Sequence, residues 1–175
     1  MMRKLVVVGV MGLLAGCAVA DTTAQFELPG GIKVSIAEGV FLATKVKVIG
    51  CAVGGGAGCL IDGQIPFGIV RGLPKTYVKS ISIVALGKSY PLDVSGMYDA
   101  WGKRPLEYPG AVRYFGGWCF DERNCQFRGL FSDGASTFVA EWRVVQGRGM
   151  RTVLTDSSDV VDLFMSHIDP PRFVD

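Results

Sequence analysis

Five cysteines and one histidine are the side chains of this 175-residue sequence most suited to chemistry. His167 is the sole candidate for an imidazole base at neutral pH. Any Ser-His-Asp arrangement would have to use it, yet no Gly-x-Ser-x-Gly nucleophile elbow occurs, and its position near the end of an expected helix suits a structural role. Paired carboxylates can hydrolyse glycosides without histidine. The most conspicuous acids, Asp121 and Glu122, are adjacent, and neighbours on a strand face opposite ways. No catalytic residue is assigned on these grounds, and a hydrolase is the least favoured reading.

The cysteines fall into a pattern. Cys51 and Cys59 enclose a glycine-rich run, 52–58, while Cys119 and Cys125 enclose Phe120-Asp121-Glu122-Arg123-Asn124. Four cysteines allow three connectivities. In an oxidising compartment local pairing is the simplest, each bridge closing its loop for about 2.5 kcal/mol of chain entropy. Zinc is the rival, but the spacing lacks the usual two-residue separation and the only histidine is distant in sequence, so no metal is expected. No Lys-Ser/Thr follows Gly58, which argues against a phosphate loop.

Cys17 is the cysteine left over. It follows Arg3, Lys4 and an uncharged run, Leu5 to Gly16, too short for a spanning helix and suited to a secretory signal. Leu14-Ala15-Gly16-Cys17 resembles the lipobox of bacterial lipoprotein precursors at all four positions. That resemblance implies cleavage before Cys17, acylation of its thiol and, with Ala18 following, the periplasmic face of the outer membrane. Ala18-Val19-Ala20 offers a competing cleavage site before Asp21. The expected organisation is a signal peptide over 1–16, a tether over 17–30 and a β-rich domain over 31–175. No cofactor is expected beyond covalent lipid on Cys17, and the membrane is reached through that anchor.

Charge narrows the partners. With a net charge of +2, and with Arg3 and Lys4 removed alongside the signal, no basic field remains of the kind that drives nucleic-acid binding. The loops between strands are the candidate binding elements. Tyr98, Trp101, Arg104 and Tyr108 lie in a turn-rich segment and belong to the residue types enriched at binding hot spots, although such aromatics also suit the closing of one end of a barrel. Asp121, Glu122, Arg123 and Asn124 form a second candidate, a polar loop that a bridge would stiffen, cutting the entropy lost on binding. Ser132, Asp133 and Ser136 form a third, weaker one.

The elements that must position these loops read as strands. Alternation marks 32–36, 46–48, 77–86 and 112–120, and an Ile/Val-rich run marks 64–71. Gln126 to Phe131, a Ser132-Asp133-Gly134 turn and Ser136 to Val145 form the clearest hairpin, and Gln146-Gly147 turns the chain into 150–154. Only the end is helical in pattern: Asp156, Ser157 or Ser158 caps a helix with Val160, Leu163, Phe164 and Ile168 inward, stopped by Pro170-Pro171. The expected fold is mainly β, a single antiparallel sandwich or barrel-like domain with one short C-terminal helix.

Size, export and layout are similar to those of periplasmic immunity proteins that block toxins delivered by type VI secretion, and the stretch from Phe131-Ser132-Asp133-Gly134 to Glu141-Trp142 shares in that likeness. The resemblance implies a lipid-anchored inhibitor whose partner is a protein, a cell-wall-degrading or other toxin enzyme. A structural envelope lipoprotein and a small-ligand carrier remain open beside it.

Overall fold

A computed structural model describes residues 22–51, 58–107 and 114–169. Two four-stranded antiparallel sheets face one another. The first is ordered β1 (Thr22–Leu28), β2 (Ile32–Val40), β5 (Thr76–Ala85), β6 (Lys88–Leu92). The second is ordered β10 (Arg148–Thr155), β9 (Thr137–Val145), β8 (Asn124–Ser132), β7 (Phe115–Asp121). Edge β1 lies beside β7 and edge β6 beside β10 without joining their ladders, so the layers form a sandwich and not a closed barrel. A short ribbon of β3 (Val48–Ile49) with β4 (Leu60–Ile61) crosses between β2 and β5, and helix α1 (Ser158–Ser166) follows β10.

The two sheets bury different chemistry. Val34, Ile36, Ile81 and Ile83 alternate inward from β2 and β5, the β-branched side chains that suit a pleated surface. Opposite them stand Phe115, Phe127, Phe131, Phe138 and Trp142. Phe131 and Phe138 stack with centroids 5.1 Å apart, and the buried indole N–H of Trp142 donates to the Asp93 carbonyl at 2.7 Å, so this large ring carries no unsatisfied group.

The antiparallel order gathers four hairpin turns at one end: β1 to β2 at Pro29–Gly31, β5 to β6 at Leu86-Gly87, β7 to β8 at Glu122-Arg123, and β9 to β10 at Gln146-Gly147. At Leu86-Gly87 and Gln146-Gly147 both central residues have positive φ, the turn that matches strand twist in two-residue hairpins. The opposite end holds the long connections, the β8 to β9 turn and the start of β1 at Thr22.

Four expectations change. Residues 22–28 of the stretch expected as a tether are strand β1: Phe26 and Leu28 turn inward against polar neighbours, and Gly30-Gly31 returns the chain to β2. Residues 64–71 form no regular strand, only isolated bridges at Gln64 and Phe67, because Gly68 takes a left-handed φ and passes so close to the Tyr98 carbonyl that a Cβ would collide with it. Within 46–48 only Val48 is paired, as the start of β3. On α1 the buried residues are Val161 and Phe164, while Leu163 is 57% exposed. Pro170-Pro171 lies outside the described residues.

Candidate functional site

The turn end is built around β7 and β8. Cys119 and Cys125 are directly opposed in the ladder and joined by a disulfide, with Cα atoms 4.0 Å apart. Beyond them the register slips by one residue, so that Asp121 faces Asn124 and Phe120 is the extra residue of a bulge. Phe120 is 71% exposed, the most exposed large apolar side chain among the described residues.

The tip is fixed from all sides. The Asp121 carboxylate accepts from the Arg123 amide at 2.7 Å and from Asn124 Nδ2 at 2.8 and 2.9 Å. These bonds, the Arg123 amide foremost, hold its carboxyl below the usual carboxylate range. Tyr90 Oη donates to the Glu122 carbonyl, and Lys88 Nζ meets the Glu122 carboxylate at 3.1 Å, both from β6 of the other sheet. From the β9 to β10 turn, the Gly147 amide donates to the Arg123 carbonyl at 2.8 Å and the Gln146 amide to Asn124 Oδ1 at 3.3 Å. Of the four polar residues expected to contact a partner, Asp121 and Asn124 are therefore engaged within the turn and Glu122 in an ion pair, while Arg123 is exposed.

Behind the tip, on the outer face of the second sheet, Trp118, Gln126, Arg143 and Met150 form one cross-strand row over β7, β8, β9 and β10. A cavity of about 160 Å³ opens there, lined by Trp118, Phe120, Gln126, Arg143 and Val145 among others. Helix α1 covers the other half of this face, where Leu130 and Val139 pack under Val161 and Phe164. Between the halves the Arg128 guanidinium meets Glu141 at 2.6 Å.

The remaining candidates collect at the opposite end. Trp101 is 3% exposed and packs edge-on against Phe131 at 5.3 Å, so it is a core residue and presents nothing to a partner. Tyr98 is half-buried against Phe41, its hydroxyl pushed up by burial and then by Asp62. Arg104 is exposed and paired with Glu107 at 2.8 Å; Tyr108 lies outside the described residues. Asp133 is buried and accepts the Ala135 and Ser136 amides, while Ser132 Oγ donates to the Ser136 carbonyl, so this trio builds its own turn.

Two buried acids that sequence reasoning missed sit beside it. Glu38 accepts Thr76 Oγ1 at 2.7 Å and the Leu106 amide at 2.7 Å; Asp99 accepts the Lys75 and Thr76 amides at 2.8 Å. Burial raises both carboxyls above their ordinary range against the pull of these bonds. The pair ties the 99–107 loop to β2 and β5. Glu38 falls in phase with the inward Ile32, Val34 and Ile36, two residues beyond the alternation read as a strand, whereas Asp99 lies in a turn segment where periodicity gives no signal.

Cys51 and Cys59 form the second disulfide, with Cα atoms 4.4 Å apart, away from the turn end. His167 contributes backbone only: its amide donates to the Leu163 carbonyl, and its carbonyl accepts Arg128 Nη1 at 3.0 Å. Among the described residues no group of three or more His, Cys, Asp or Glu is placed to hold a metal, and no helix is long and apolar enough to cross a membrane. Cys17 lies outside the described residues. The fold and site thus define a disulfide-stapled antiparallel β-sandwich with a braced, aromatic-tipped hairpin at one end. No protein-family model, curated protein or solved structure matches the chain.

Proposed function

We propose that this protein is a lipid-anchored envelope lipoprotein that binds and inhibits a protein partner through its turn end, as an immunity protein does when it neutralises a periplasmic toxin enzyme. One observation carries the reading: the exposed Phe120 hairpin and the start of β1 at Thr22 lie at opposite ends of the sandwich. The β1 to β2 turn shares a cavity with Trp118 and Cys119, and from there β1 runs back roughly 20 Å, at about 3.3 Å per residue, to Thr22. Cys17 precedes Thr22 by only a few residues. An acyl group on Cys17 would draw the Thr22 end toward the bilayer and point Phe120, Arg123 and the outer-face row away from it, toward a soluble partner. A rigid tip with an exposed aromatic loses little entropy on insertion into an enzyme cleft.

Tagged mature protein, incubated with envelope extracts and with extracts of competing cells, tests this. Recovery of one stoichiometric enzyme, lost with the double substitution Phe120→Ser and Arg123→Glu, is the expected result. A bound small molecule without any protein favours a ligand carrier and overturns the reading, as does copurification of a membrane machine that ignores the double substitution. Cys17→Ser should release the protein from the membrane fraction; unchanged retention contradicts the anchor.

A further inference from the structure

Gln126 is 4% exposed, yet its Oε1 has no hydrogen-bond partner, and neither does the indole N–H of Trp118 directly opposite it on β7. A buried polar atom without a partner forfeits its hydration uncompensated. Both residues line the cavity of about 160 Å³ on the outer face, whose apolar side chains are Phe120 and Val145. As cross-strand neighbours, Trp118 and Gln126 bring one unpaired donor and one unpaired acceptor, both covered by their surroundings, to the same row beside an apolar floor. That is the complement of a peptide group, whose N–H would donate to Gln126 Oε1 and whose carbonyl would accept from Trp118 Nε1, with a neighbouring aliphatic side chain filling the floor.

Charge selects among peptides. Arg123 at the hairpin tip and Arg148, cross-strand from the lining residue Val145, are exposed, and Arg143, 42% exposed, lines the cavity with Glu141 Oε1 3.9 Å from its Nε. Three of the nearby acids already have cationic or amide partners, Glu122 on Lys88, Glu141 on Arg128 and Asp121 on the Arg123 amide, while Asp169 borders Trp118 from the separate cavity shared with the β1 to β2 turn. Exposed Met150 and Val145 continue the apolar surface beside them. We propose that this face holds an extended acidic segment of the partner protein, one peptide group seated between Trp118 and Gln126 and its carboxylates against the three arginines. The proposal rests on the protein-binding reading and names the chemistry of what is bound.

The test follows the Trp118 indole N–H resonance in the full mature chain carrying Cys17→Ser, assigned by its disappearance in Trp118→Phe. The probes are N-acetylated acidic peptides with one central aliphatic residue, the same peptides with lysine for each acid, and chitotriose. A saturable shift with the acidic peptides alone, weakened by raised salt and at least about tenfold weaker in Gln126→Leu and in the surface variant Arg148→Glu, is expected. A shift with chitotriose or with the lysine peptides instead overturns the proposal. So does a resonance unmoved by every probe, including one that reports only a resident water. Capture of the partner by the hairpin is measured separately, so the wider reading can stand while this one fails.

Discussion

Arg128 Nη2 donates to Glu141 Oε2 at 2.6 Å in the middle of the second sheet's outer face, under the Phe164 ring, whose centroid lies 4.5 Å from the guanidinium carbon. This pair closes the helix-covered half of the face and separates it from the open half beside the hairpin. Because both charges are nearly buried, removing one leaves the other uncompensated. Glu141→Leu should cost about 3–5 kcal/mol in urea unfolding, and adding Arg128→Met should recover most of that loss.

The buried carboxyls give stability a definite pH slope. Glu38 and Asp99 have native pKa values raised by burial, so the native state binds more protons than the unfolded chain, and stability falls as pH rises through the window above their ordinary values of 4.5 and 3.8. Other carboxyls are lowered in the native state. Asp93 is held down by its Ser95 bonds and Arg151 despite its partial desolvation, Glu107 by Arg104, and Asp121 by the Arg123 amide. Their contribution is present above the ordinary carboxylate range and is lost as pH falls through their depressed values. Urea midpoints should therefore rise on mild acidification from neutrality, pass a maximum and drop in stronger acid. A midpoint that only falls from neutrality downward would contradict the assignment of Glu38 and Asp99.

Leu86 occupies the first central position of the β5 to β6 turn at φ +49° with its side chain 61% exposed. A γ-branched residue resists this left-handed conformation, which asparagine tolerates. Leu86→Asn should stabilise the protein by about 0.5–1 kcal/mol in thermal or urea unfolding.

The Cys119 to Cys125 bridge spans a hairpin that β6 and the β9 to β10 turn also brace. Replacing both cysteines by serine should cost about 2.5 kcal/mol or less and leave the circular dichroism spectrum unchanged. Partner affinity should fall by more than stability alone explains, because the freed tip must be ordered on binding.

Where the sequence was legible, a local rule coincided with the tertiary one. Phe138, Ala140, Trp142 and Val144 alternate and are all inward; Ser132-Asp133-Gly134 turns; the short cysteine spacings predict the two bridges that the structure contains. Strand β1 was hidden because it follows a signal-like segment, although Ala24, Phe26 and Leu28 alternate ahead of Gly30-Gly31. Trp101 looked like a surface anchor because hot-spot residue types are also core residue types, and only packing on Phe131 separates the two. The prominence of Phe120 depends on a bulge, a register property that no window of residues encodes. The hairpin loop was visible as a candidate, whereas its distance from Thr22 and from the Tyr98 and Asp133 cluster is a product of topology.

The central claim is that the turn end, not the Thr22 end, meets a protein partner. Photocrosslinking in cells, with p-benzoylphenylalanine placed singly at Phe120 and at Arg104, tests it most directly, since both side chains are exposed and they occupy opposite ends. The account predicts one discrete protein adduct from position 120 and none from position 104. An adduct from position 104 alone, or no adduct from either while the partner is present, would contradict it.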